Sequence, residues 1–108
     1  MSGPLSGIKI IDLSSVISGP VATVLLADQG ADVIKVEAPQ GDIIRRMGLG
    51  KNNLSPAFVS ANRGKRSICI DLKDPAGVAV VKKLIADADV FIQNFRPGAI
   101  ERMGLSYD

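Results

Sequence analysis

The chain has no histidine and no tryptophan, one cysteine and few aromatic residues. Without an imidazole, any mechanism that needs a histidine base or a histidine metal ligand lies outside these 108 residues. A single cysteine excludes an internal disulfide framework and suits a reducing compartment. No apolar run is long enough to span a bilayer, and no N-terminal stretch has the shape of a signal peptide, so the expected location is cytoplasmic, with no membrane partner. The formal net charge is only +2. Nucleic acid would need a larger basic face with aromatics to stack bases, and only Phe58, Phe91, Phe95 and Tyr107 are available.

What the chain does have is a repeated alternation of short apolar runs and helical periods. Residues 8–13 are apolar with one polar break at Asp12, and residues 33–37 are rich in β-branched side chains and end at Glu37. Between them, residues 20–29 are apolar on nearly every face, as expected of a helix buried against strands that are themselves buried on both sides. Pro20 suits a first helical turn, with Ser18 or Gly19 as its cap, and Gly30 suits a left-handed helix end. Further on, Asp42 reads as the cap of a short helix at 43–47, and 56–61 as one helical turn. A third strand is expected at 67–72, a helix at 75–86 behind Asp74-Pro75, a fourth strand at 89–93, and a short helix at 99–103. Strands alternating with helices predict an α/β fold with a Rossmann-like parallel sheet and flanking helices. The whole chain, 1–108, reads as one domain, and its ending at Ser106-Tyr107-Asp108, a cap with nothing after it, reads as a fragment of a longer protein.

In such a sheet ligands bind at the carboxyl edge, which places the loops at 14–19 and 94–98 there. The first of these lacks the G-x-G-x-x-G pattern, so close approach to a dinucleotide pyrophosphate is disfavoured even though Glu37 ends the second strand where a ribose-binding acid would sit. Glu37 otherwise reads as a solvated carboxylate, and Arg63, Lys65 and Arg66 as a solvated basic turn or a phosphate site. Cys69, inside a strand, reads as core filler, since burial raises a thiol pKa. Asn94-Phe95-Arg96-Pro97-Gly98 is the most unusual local sequence, setting an amide, an aromatic ring and a guanidinium side by side after a strand. An arginine there can pair with phosphate or carboxylate. These residues leave open a nicotinamide enzyme and a non-catalytic interaction module.

Four segments together resemble one family. They are Ser18-Gly19-Pro20; the stretch from Gly30 through Val36-Glu37-Ala38-Pro39-Gln40-Gly41-Asp42; Asn62-Arg63-Gly64-Lys65-Arg66 with Asp71-Leu72-Lys73; and Asn94-Phe95-Arg96-Pro97-Gly98 with Met103-Gly104-Leu105. In order and spacing they are similar to the N-terminal part of family III CoA-transferases, which include formyl-CoA transferase, carnitine CoA-transferase and alpha-methylacyl-CoA racemase. The resemblance implies a CoA-binding domain whose contacts come from Val16, Ile17 and Ser18, from Ala38, from Ile70, Leu72 and Lys73, and from Asn94, Phe95, Arg96 and Arg102. Two positions depart from formyl-CoA transferase, which has Gln in place of Ile17 and Arg in place of Ala38.

For such an enzyme the resemblance implies coenzyme A as substrate rather than a bound cofactor, an acyl-CoA and a carboxylic acid acceptor as partners, and an interlocked homodimer of the intact protein. Transfer would run through an aspartate nucleophile, and the racemase branch through a His/Asp pair. Neither has a match here, so no catalytic residue and no metal ligand is expected in this chain.

Overall fold

The structure, a computed structural model, describes residues 3–107. Strands β1 (Lys9–Asp12), β2 (Asp32–Glu37), β3 (Arg66–Cys69) and β4 (Val90–Ile92) form one sheet in the order β3-β2-β1-β4, with every neighbouring pair parallel. Helices α1 (Ser18–Asp28), α2 (Pro56–Asn62), α3 (Pro75–Ala86) and α4 (Ala99–Arg102) connect or follow the strands, with a 3-10 turn at Ile43–Arg46. The α/β parallel sheet expected from the alternation is therefore present. Among the described residues no helix is long and apolar enough to cross a membrane.

Side chains alternate across the sheet, so the two faces have separate cores. Ile10 and Val33 pack with Ala27 of α1 on one face. Ile11, Leu13 and Val36 pack on the other with Val81 of α3 and Ile100 of α4. On the α1 face the same alternation brings Asp12 beside Lys35, its register partner. Both are essentially inaccessible to water. Two charges at buried strand positions need partners, and these organise the site described below.

The sequence misplaced several boundaries. Ile17, and not Ser18 or Gly19, precedes α1, and its carbonyl accepts the Val21 N–H at 2.8 Å. Pro20 is tolerated at the third helical position because no N–H of the first turn has an intrahelical acceptor. The helix is also less buried than expected. Thr23, Val24 and Ala27 face the sheet, while Val21 and Leu25 are exposed, because one sheet face covers only one side of a helix. At its end Gly30 takes φ +104°, with the N–H groups of Gly30 and Ala31 closing on Ala27 and Leu26 as in a Schellman motif.

The third strand is shorter than expected, and it lies at the sheet edge with all four residues exposed. Cys69 is therefore an exposed free thiol and not core filler. Asp42 does cap the turn after β2, accepting the Ile44 N–H, and that turn is 3-10 and ends at Arg46. The single turn expected at 56–61 is a seven-residue helix capped by Ser55. Asp74 and Pro75 begin α3 as expected. The cap expected around Ser106 runs into Asp108, which lies outside the described residues.

Candidate functional site

The chain winds from β1 to β2 to β3 and then crosses back to β4 on the far side of β1. The helices that follow β1 and β4 pack on opposite faces of the sheet, and the carboxyl edge at such a change of direction is where open parallel sheets bind ligands. A cavity of about 570 Å³ lies at this carboxyl edge, bordered by Leu13, Ser14, Ala38, Leu72, Lys73 and Phe95, with Arg46 at its rim. A second, more open groove of about 700 Å³ runs between α3 and α4 and shares Leu72, Lys73 and Met103 with the first. Lys73, Lys82 and Arg102 line it with no carboxylate among its lining residues. The cavity mixes apolar side chains with charged ones of both signs, including Lys35, Glu37, Asp42 and Asp71, while the charged side chains lining the groove are all cationic, which suits the phosphate groups of a ligand.

The expected contact residues divide by place. Ala38, Leu72, Lys73 and Phe95 line the cavity, and Lys73 and Arg102 line the groove. Ile70 is buried in the core beneath them, and its N–H continues the sheet by donating to Glu37 O at 2.9 Å. Arg96 is exposed, and its guanidinium makes no hydrogen bond among the described residues. Asn94 is used within the protein. Its Oδ1 accepts the Ser15 N–H at 3.0 Å, and its Nδ2 donates to Ser15 O at 2.9 Å and to Ser18 Oγ at 3.2 Å. The loop after β1, which carries Val16, Ile17 and Ser18, is thereby clamped to the loop after β4.

Beneath that loop lie three ion pairs. Lys65 Nζ meets Asp12 Oδ2 at 3.0 Å, and Lys35 Nζ meets Asp42 Oδ2 at 3.0 Å, both pairs almost wholly shielded from water. Arg45 grips both oxygens of Glu37, at 2.8 and 2.7 Å, and stacks its guanidinium on Phe58. Burial pushes the Asp12 carboxyl up, but hydrogen bonds from Ser14 and Thr23 and the nearby Lys65 ammonium outweigh it and hold it below the ordinary value. The Arg45 hydrogen bonds outweigh burial at Glu37 and lower it likewise. For Lys65, burial is stronger than the pull of Asp12 and moves it down.

These pairs correct two expectations. Glu37 is buried and paired with arginine, not solvated. The basic turn splits: Lys65 is buried against Asp12, whereas Arg63 and Arg66 stay solvent-exposed as expected, paired at the surface with Asp28 and Asp32. The roles of Lys35 and of Asp42 beyond its cap were missed. A lysine in the middle of an otherwise apolar strand was the available signal, since it demands a buried acid. Asp12 and Glu37, which end β1 and β2, and Asp42 in the loop after β2 are all tied to cations, whereas the Asp71 carboxylate, which also lines the cavity, accepts the Lys73 N–H.

Comparison with known proteins adds a family, two relatives and a solved structure. The chain matches the model of CoA-transferase family III over residues 5–108. It is 50% identical over 107 residues to succinyl-CoA:glutarate CoA-transferase of Mus musculus, covering 97% of this chain and 24% of that protein. Succinate--glutarate CoA-transferase of Agrobacterium fabrum is 50% identical over 113 residues, covering 97% and 28%. A crystal structure of a CAIB/BAIF family protein from Brucella suis superposes with a TM-score of 0.92 at 40% identity, over 99% of this chain and 30% of that one. The chain spans about a quarter of the length of the curated relatives it matches.

Proposed function

The chain belongs to CoA-transferase family III, and from that premise we propose that it is the CoA-binding N-terminal part of an enzyme that moves CoA between carboxylic acids. The observation that carries this reading is the carboxyl-edge cavity that shares Leu72, Lys73 and Met103 with a groove whose charged lining, Lys73, Lys82 and Arg102, is all cationic. The groove takes the phosphates of CoA, and the cavity takes the uncharged remainder. The clamped loop of Val16, Ile17 and Ser18 borders the thioester, with Ala38, Ile70, Leu72, Asn94, Phe95 and Arg96 completing the CoA contacts.

Chemistry then needs a carboxylate from outside this chain. It attacks the acyl-CoA carbonyl and expels the CoA thiolate, leaving a mixed anhydride. The thiolate returns to the enzyme's carbonyl, releases the donor acid and forms an enzyme thioester. The acceptor carboxylate takes CoA by the reverse of these steps. Succinate and glutarate, named for the two relatives, are both short dicarboxylic acids. We assign the donor and acceptor of this enzyme to that class. Exposed Leu25, Leu49, Leu54 and Val59 are the apolar surface that the rest of an interlocked homodimer covers.

Calorimetric titration of the full-length enzyme with CoA and with NAD tests the reading. CoA binds, and Lys73→Ala and Arg102→Ala each weaken it about tenfold, the value of one lost hydrogen bond to a charged group. NAD binding without CoA binding overturns it.

A further inference from the structure

Val16 has φ +66°. That is the left-handed region, which a β-branched residue enters only when its surroundings impose it. Asn94 holds the flanking Ser15 and Ser18, and the Val16 N–H itself is held by one side chain. The Val16 N–H donates to both oxygens of Asp42, at 3.1 and 3.2 Å. Asp42 is fixed in turn by Lys35 Nζ, which also donates to Ser14 O at 3.2 Å. The Asp42 N–H donates to Glu37 Oε2 at 2.7 Å, so the Glu37–Arg45 pair supports the same carboxylate. Asp42 and Lys35 side chains are 1% and 2% exposed, so the tether works away from water, where its attraction is strong. A cap for the 3-10 turn needs only the bond to the Ile44 N–H. The bonds to Val16 and Lys35 go beyond that need.

We propose that Asp42, held by Lys35, is a positioning residue that locks Val16 in its left-handed conformation and so presents Ile17 and Ser18 to CoA. This rests on the reading above that the Val16–Ser18 segment meets CoA. The tether joins the loop after β1 to the loop after β2, and Asn94 joins it to the loop after β4. The crevice is thereby set before ligand arrives, and less ordering remains to be done on binding.

The test uses the full-length enzyme. In Lys35→Met/Asp42→Ser both charges leave together, so no buried charge is stranded, and the serine keeps a hydroxyl at the cap. Amide hydrogen exchange of the peptide containing Val16 reads the tether, that of β1 and β2 reads the core, and calorimetry reads CoA affinity. The double variant exchanges at least about tenfold faster at Val16 with the strands unchanged, and binds CoA about tenfold more weakly. Adding Val16→Gly recovers at least about threefold of the lost CoA affinity without reaching wild type, because glycine takes positive φ without a tether but forgoes the valine side chain's own contact. Val16→Pro, which has no N–H and cannot take positive φ, weakens CoA similarly while leaving the buried pair intact.

Unchanged exchange at Val16 in the double variant overturns the tether. Faster exchange with unchanged CoA affinity overturns both the positioning role and the placement of this loop at CoA. Weaker affinity that Val16→Gly does not recover overturns positioning and leaves the CoA reading standing. Val16→Pro binding CoA like wild type overturns the proposal even where the double variant fails to fold.

Discussion

Replacing Lys65 by methionine removes the counter-charge of a carboxylate that has no access to water. Lys65 Nζ donates to Asp12 Oδ2 at 3.0 Å, Pro20 O at 3.0 Å and Asn62 Oδ1 at 2.8 Å, so three acceptors lose their donor at once. Asp12 keeps the Ser14 N–H at 2.8 Å and the Ser14 and Thr23 hydroxyls. Lys35, its neighbour in register, is engaged by Asp42 and cannot replace Lys65. Breaking a buried pair by removing one partner costs about 3–5 kcal/mol, and the bonds that remain on Asp12 place Lys65→Met at the lower end. The double variant Asp12→Asn/Lys65→Met strands no charge and recovers all but about 1–2 kcal/mol. Equilibrium urea unfolding followed by circular dichroism reads both. A Lys65→Met loss below about 1 kcal/mol, the worth of an exposed pair, refutes the reasoning, and so does a double variant less stable than the single.

The lowered carboxyls of Asp12 and Glu37 make stability depend on pH. A carboxyl depressed in the folded state stabilises fully above the ordinary carboxylate range and loses that contribution as pH falls through its folded value. Tm should fall on that acid limb, and Glu37→Gln should flatten it; an acid limb that Glu37→Gln leaves as steep as in wild type contradicts the assignment. Gly77→Ala in α3 would put a Cβ 2.2 Å from Asp71 O and 2.9 Å from Ile70 Cγ2. It should lower stability by roughly 1–3 kcal/mol, against the usual gain of alanine in a helix, and a rise in Tm counts against the packing described. Arg96→Ala should weaken CoA binding to the full-length enzyme by about 1–3 kcal/mol, whereas unchanged affinity and turnover make Arg96 a solvated surface residue.

The sheet was legible because its signal is local. Short β-branched runs at Val33 and Val36, a helical period through Val78, Val81 and Leu84, and Pro75 behind Asp74 each state their element within a few residues. Parallel pairing follows from the helices between them. Strand neighbours are another matter. Nothing in residues 66–69 tells that β3 lies at the edge, so Cys69 was misread as buried. The ion pairs were hidden for the same reason. Asp12 and Lys65 stand 53 positions apart, and only the fold shows that a basic turn, which reads as a surface feature, delivers one lysine under the first loop. Of the candidate site, the carboxyl-edge placement of Lys73, Phe95 and Asn94 could be read from strand ends. The left-handed Val16 and its tether to Asp42 could not, since a valine gives no sequence signal for positive φ.

The central claim is that CoA lies over the carboxyl edge of this sheet while the reacting carboxylate comes from elsewhere in the enzyme. A crystal structure of the full-length enzyme with CoA bound tests it most directly. The account predicts CoA phosphates at Lys73 and Arg102, the sulfur beside the loop of Val16, Ile17 and Ser18, and the nearest carboxylate to that sulfur on a residue beyond position 108. CoA bound away from these loops, or an aspartate or glutamate of residues 1–108 nearest the sulfur, contradicts it.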